Sequence, residues 1–158
     1  MDYSRFEVAT APYGEGPSGL CVANFETSRL VEHLREKIRD SEEKEKFEEC
    51  LGTCESAFKL LSLMHHREFE ILSAKFLVLT YQSQEAIDVL NKVFKEDPQN
   101  AEAISVLGLV FYYQGNLRKT VEVCLDALMI NPSLKDTQVV LNTARSTINI
   151  LKAGKMAR

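Results

Sequence analysis

Residues 67–100 read REFEILSAKFLVLTYQSQEAIDVLNKVFKEDPQN, and residues 101–134 read AEAISVLGLVFYYQGNLRKTVEVCLDALMINPSL. Laid over one another at an offset of 34 residues, Ala74 falls on Gly108, Leu77 on Phe111, Ala86 on Thr120, Leu90 on Cys124, Val93 on Ala127 and Pro98 on Pro132. Apolar residues recur at helical spacing in both halves of each unit. Gln82-Ser83 and Gln114-Gly115-Asn116 break each unit in the middle, so each reads as helix, turn, helix. The prolines lack an amide donor and push their predecessors out of the helical region, which stops the second helix. Helices are expected over about 68–81, 84–95, 101–113 and 117–130.

Inside each unit, Ala74 and Gly108 occupy position 8, in the middle of the first helix (A). Glycine inside a helix costs about 1 kcal/mol, so Gly108 implies close approach of the second helix (B). Ala86 and Thr120 at position 20, Leu90 and Cys124 at position 24, and Val93 and Ala127 at position 27 complete the expected packing set, with Pro98 and Pro132 as the stops. Upstream, Phe47–Leu61 has a broad apolar face, and its Cys50, Cys54 and Ala57 match positions 20, 24 and 27. Gly52 within it predicts an irregular helix. Two extra residues near His65-His66 then break the spacing, and both histidines are expected in a connection.

A last helix is expected over about 134–152, with Val139, Val140, Ala144, Ile148 and Leu151 on one side and Gly154 as its stop. At the other end, Thr27 or Ser28 can cap a helix to about Arg39 that carries Leu30, Leu34 and Ile38, before the wholly polar 40–46. Residues 1–25, with Pro12, Pro17, Gly14, Gly16 and Gly19, read as a flexible lead-in. The expected organisation is a lead-in over 1–25, one helical domain over 26–153 and a tail over 154–158, with seven helices, no strand and about two and a half repeats.

The 158 residues suffice for one domain, and 45% hydrophobic with 27% charged content matches a globular chain. A net charge of −4 argues against nucleic acid or an anionic membrane as partner, since both need a basic field. The start MDYSRFEVAT has no basic and apolar leader, so reduced thiols and a cytoplasmic location are expected for Cys21, Cys50, Cys54 and Cys124.

A 34-residue helix–turn–helix period is the mark of the tetratricopeptide repeat, so the expected fold is an all-α solenoid of such hairpins with a C-terminal capping helix. More specifically, residues 47–155 resemble the central repeats of tetratricopeptide co-chaperones of the J-domain class, the DnaJ subfamily C member 7 type. The resembling stretches are Asn100–Pro132, with its paired Tyr112-Tyr113, Ile71–Leu79, and the downstream Asn142, Ala144 and Leu151-Lys152-Ala153. In that family further repeats and a J domain follow. The 158 residues contain no His-Pro-Asp tripeptide, so the J-domain stimulation of a chaperone ATPase is not carried over. The expectation is a truncated product, a fragment or a diverged relative that keeps the scaffold.

The resemblance implies a concave groove lined by helix A positions 2, 5, 9, 12 and 13. Here these are Glu68, Ile71, Lys75, Val78 and Leu79, then Glu102, Ser105, Leu109, Tyr112 and Tyr113. It also implies protein partners, heat-shock chaperones or their clients among them. Relatives hold an acidic chaperone tail with a clamp of Lys, Asn and Arg, whereas this groove offers Lys75 beside two glutamates. An apolar peptide or a helix is therefore the better expected occupant. Tyr112 and Tyr113 either anchor a partner or fill the seam between repeats.

Cys50 and Cys54, with His65-His66 downstream, invite comparison with a zinc site, but both cysteines stand at repeat core positions and read as small hydrophobes. No catalytic residues, metal or cofactor are expected, and the chain reads as a non-enzymatic adaptor. The alternative is a self-associating helical protein whose groove is filled by its own Leu30-Leu34-Ile38 helix or by another copy.

Overall fold

The computed structural model of the chain describes residues 17–61 and 63–156, with side chains over 27–61 and 67–154. Among these residues there are seven helices and no strand: α1 (Pro17–Glu43), α2 (Phe47–Leu60), α3 (Leu63–Leu79), α4 (Ser83–Glu96), α5 (Ala101–Tyr113), α6 (Leu117–Ile130) and α7 (Lys135–Met156). They stack as antiparallel hairpins α1–α2, α3–α4 and α5–α6, each resting on the next, with α7 against α6 and α5. The helix A row α3, α5, α7 packs side by side.

The three hairpins close by one backbone device. Counting Val31, Arg67 and Ala101 as position 1, position 15 is left-handed in every case: Glu45 at φ 55°, Tyr81 at 64° and Gly115 at 74°. The next N–H donates five residues back, Lys46 to Ser41 at 2.9 Å, Gln82 to Leu77 at 2.8 Å and Asn116 to Phe111 at 2.9 Å. The left-handed residue's own N–H reaches the Glu42, Val78 or Tyr112 carbonyl at 3.0–3.1 Å. This is the paired-bond helix stop that satisfies orphan carbonyls. Helix B ends alike too: Leu61, Asp97 and Asn131 each donate to position 27 at 2.9 Å. Asn100 and Asn116 cap α5 and α6 by accepting from Ala103 and Lys119 N–H groups at 3.0 and 3.3 Å.

The shared register makes α1–α2 a full hairpin, so the array is three hairpins plus α7 rather than two and a half. α1 begins at Pro17, inside the segment read as a flexible lead-in, and runs to Glu43 through the polar stretch. Proline suits a first helical position, where its missing amide is not needed. Thr27 and Ser28 lie within α1 and do not cap it, and residues 1–16 are outside the described ones. The two-residue insertion is absorbed as an extra N-terminal turn of α3, which places the His65-His66 backbone in helix rather than in a connection.

Position 8 shows why the small residues are there. A Cβ on Gly108 would lie 2.8 Å from Cys124 Sγ, and Ala74 is fully buried in its own hairpin. Gly52, by contrast, faces open space, and α2 is continuous through it. Two clusters form the core. One joins Ala74, Leu77, Val78, Ala86, Leu90 and Val93 to Ala103, Val106 and Val110. The other joins Val31, Leu34 and Ile38 of α1 to Cys50, Cys54, Ala57, Phe69 and Phe76. Each fully buried aliphatic side chain in them contributes roughly 1.5–3 kcal/mol. Pro98 and Pro132 stand exposed at the links.

α7 differs from its expected form. It passes through Gly154 to Met156, so that glycine is not a stop. Its buried stripe is Thr137, Leu141 and Ala144, while Val139 and Leu151 are 64% and 56% exposed. At its positions 8 and 11, where earlier hairpins seat helix B, it carries exposed Asn142 and Arg145. None of the described helices is long and apolar enough to cross a membrane.

Candidate interaction groove

α3, α5 and α7 frame a cleft of about 480 Å³ near their N-terminal ends, whose lining includes Glu68, Ile71, Lys75, Glu102, Ser105 and Asp136. Five of the expected groove residues thus converge: Glu68, Ile71, Lys75, Glu102 and Ser105. Leu109, Tyr112 and Tyr113 do not line it. Val78 is wholly buried in the core cluster, so it lines no groove and is corrected to a packing residue. Ile71 is also largely buried and forms floor rather than rim.

The charges are paired from helices that the repeat pattern left out. Arg35 of α1 grips Glu68 with two bonds of 2.7 Å, the fork matching the carboxylate. Lys75 Nζ lies 2.6 Å from Glu42 of α1 and 3.3 Å from Asp136 of α7. Burial pulls its ammonium pKa down, but the Glu42 hydrogen bond and charge, joined by Asp136, outweigh that and leave it raised. The one cation expected to meet an acidic tail is therefore already held by two of the chain's own carboxylates. Between α5 and α7, the Ser105 and Thr137 hydroxyls bond at 2.6 Å.

At the opposite end of the helix A row, Tyr113 meets Tyr81 and Tyr112 edge-on, with centroids 6.1 and 5.8 Å apart. Tyr81 is 83% exposed. It is the left-handed residue of its turn, and the repeat alignment gave no reason to single it out.

The described thiols are packing groups, and the Cys21 side chain lies outside the described ones. Cys50 Sγ donates to the Ile38 carbonyl at 3.6 Å, and Cys50, Cys54 and Cys124 are buried. Burial pushes the Cys54 thiol up to about 12 and the Cys124 thiol up to about 11. Position 2 is acidic along the row, and Glu68, Glu102 and Asp136 all stand in the lining, so the rim is carboxylate-rich.

No protein-family model matches the chain. In sequence it is similar to the Homo sapiens DnaJ homolog subfamily C member 7, 29% identical over 121 residues, which are 76% of this chain and 23% of that protein. The Mus musculus DnaJ homolog subfamily C member 7 is 30% identical over 121 residues, with the same coverage of 76% and 23%. The Dictyostelium discoideum DnaJ homolog subfamily C member 7 homolog is 27% identical over 90 residues, 57% of this chain and 17% of that one. The chain spans less than a quarter of the length of these relatives. Among solved structures it is similar to the C-terminal TPR-containing domain of a Plasmodium falciparum FK506-binding protein, at 21% identity and a TM-score of 0.49, covering 83% of this chain and 94% of that one. The chain is an all-α protein of tetratricopeptide-type hairpins, similar in sequence to the DnaJ homolog subfamily C member 7 proteins over as much as 76% of its length.

Proposed function

We propose that the chain is a non-enzymatic adaptor that holds a segment of another protein in the cleft between α3, α5 and α7. The observation that carries this reading is the cleft itself, with an apolar floor from Ile71, Leu72, Val106 and Leu134 inside a charged rim. Concave, mostly apolar sites with a few placed polar groups suit peptide capture. The likeness to DnaJ homologs supports partners among heat-shock chaperones or their clients, and a cytoplasmic setting. The engagement of Lys75 by Glu42 and Asp136 favours an apolar peptide or a helix over an acidic tail.

The experiment is capture from cytosol with mass spectrometry, followed by direct titration of the purified partner. A cleft-filling Ser105→Tyr is compared with Tyr112→Ala/Tyr113→Ala, helicity being checked in both. Loss with Ser105→Tyr alone supports the cleft. Loss with the tyrosine pair alone moves the partner to the aromatic end. A partner indifferent to both rejects the reading.

Self-association is the second reading, favoured by the exposed Tyr81, Met129 and Ile150. Its version in which the N-terminal helix fills the groove does not match the placement of α1. Val31, Leu34 and Ile38 pack on α2 and α3 in the core, and among the described side chains none from α1 lines the cleft. A molecular mass in solution that rises with concentration would support pairing of copies through other surfaces.

A further inference from the structure

α7 runs well past the hairpin it caps, and its overhanging end leaves a second cleft against the N-terminal half of α6. This cleft has a volume of about 780 Å³. Its apolar walls come from Leu117 and Val121 of α6 and Ile148 and Leu151 of α7. Arg118, Arg145 and Lys152 surround it, and among the described residues Glu122 is the single carboxylate in the lining. All three cations are exposed. None of the three makes an ion pair among the described residues, in contrast to Arg35, Arg67 and Lys75. On a chain of net charge −4 this is a local reversal of sign. The lining includes Asn116, Leu117 and Arg118 at the start of α6, and the N-terminal end of a helix adds to the positive potential there.

From this charge and shape we infer that the α6–α7 cleft is a second docking site, and that its occupant is an acidic amphipathic segment of another protein. Carboxylates of that segment pair with Arg118, Arg145 and Lys152, while its apolar side chains enter between Val121, Ile148 and Leu151. Arginine forks suit carboxylates, and the apolar walls distinguish a peptide from a bare polyanion. The site is separate from the α3–α5–α7 cleft and does not depend on the function assigned to that cleft.

The test uses the full chain and fluorescein-labelled helical probes built from leucine and glutamate, from leucine and lysine, and an oligothymidylate of equal negative charge. Anisotropy titration is expected to give the glutamate probe an affinity at least about tenfold above the lysine probe, falling as salt screens the pairing. Arg118→Glu/Arg145→Glu should weaken the glutamate probe by about tenfold or more. Lys75→Ala, in the other cleft, should leave it unchanged. Because the two arginines are exposed, circular dichroism should show unaltered helicity. Absence of binding by the glutamate probe, equal affinity for the two peptides, or loss caused by Lys75→Ala but not by the arginine reversal would overturn the site. Tighter binding of the oligothymidylate would overturn the peptide as its occupant.

Discussion

Two glycines of this chain take opposite roles, and one substitution separates them. A methyl group on Gly52 would enter open space, so Gly52→Ala removes only the entropy and solvation cost of glycine in a helix. A gain of about 0.5–1 kcal/mol is expected from urea denaturation. A methyl group on Gly108 would meet Cys124 Sγ at 2.8 Å. Overpacking of that kind costs about 1–3 kcal/mol and should exceed the propensity gain, making Gly108→Ala a net loss. In a Cys124→Ala background the obstructing sulfur is gone, and the same Gly108→Ala should turn neutral or stabilising. If Gly108→Ala costs the same in both backgrounds, the close approach is not the reason for the glycine.

The buried thiols add a pH dependence. Their ordinary pKa is 9.0, and burial raises Cys54 to about 12 and Cys124 to about 11. The fold therefore favours the neutral thiol. That contribution is whole below about pH 9 and is lost as pH rises through the folded values. Thermal midpoints followed from pH 8 upward should decline beyond 9, and less steeply in Cys54→Ala. Position 8 and the core thiols were legible from the repeat alone, because a small residue recurring inside a helix marks where a neighbouring helix comes close. The direction of Val78 was not, since the groove rule assigns it a position but not a neighbour.

Among the elements, the turns carry the sharpest expectation. Position 15 demands a left-handed residue, and only α5–α6 meets it with glycine. A non-glycine side chain there costs about 1–2 kcal/mol, offset by the greater unfolded freedom of glycine. Glu45→Gly should therefore stabilise by about 0.5–1 kcal/mol. Gly115→Ala should destabilise by about 1 kcal/mol. Equal midpoints for Glu45→Gly and the parent would contradict the shared turn. The same residues explain what the sequence hid. The α1–α2 hairpin has Ile38 where a small residue was sought and Glu45 where a glycine would have flagged the turn, inside a wholly polar run. The end of α7 was misread because Gly154 is exposed and meets nothing, so the helix passes through it.

At the scale of the whole molecule, Lys75 links three helices that the repeat order keeps apart, bonding from α3 to α1 and, past α5, to α7. Its side chain is 22% exposed and that of Glu42 is 37%. A double-mutant cycle with Lys75→Met and Glu42→Gln should give a coupling of about 0.5–1 kcal/mol that shrinks with added salt. A coupling of zero at low salt would show that the pair does not tie α1 to the stack. The α3–α4 and α5–α6 hairpins and their register were readable from two aligned segments, since local periodicity and stops dictate hairpins, whereas the matching register of α1–α2 was not. The ion pairs across the groove were not, because sequence order says nothing of how sharply successive hairpins curve round to face each other.

One latch repeated at three bends is also an exchangeable part. The tripeptide that folds one pair of rods back on itself asks nothing of the side chains beside it beyond tolerance of a single handed twist. Grafting Gln114-Gly115-Asn116 in place of Lys44-Glu45-Lys46 should leave both flanking rods undisturbed. The hairpin, rather than the helix, is then the natural brick from which longer or shorter arrays of this chain could be assembled.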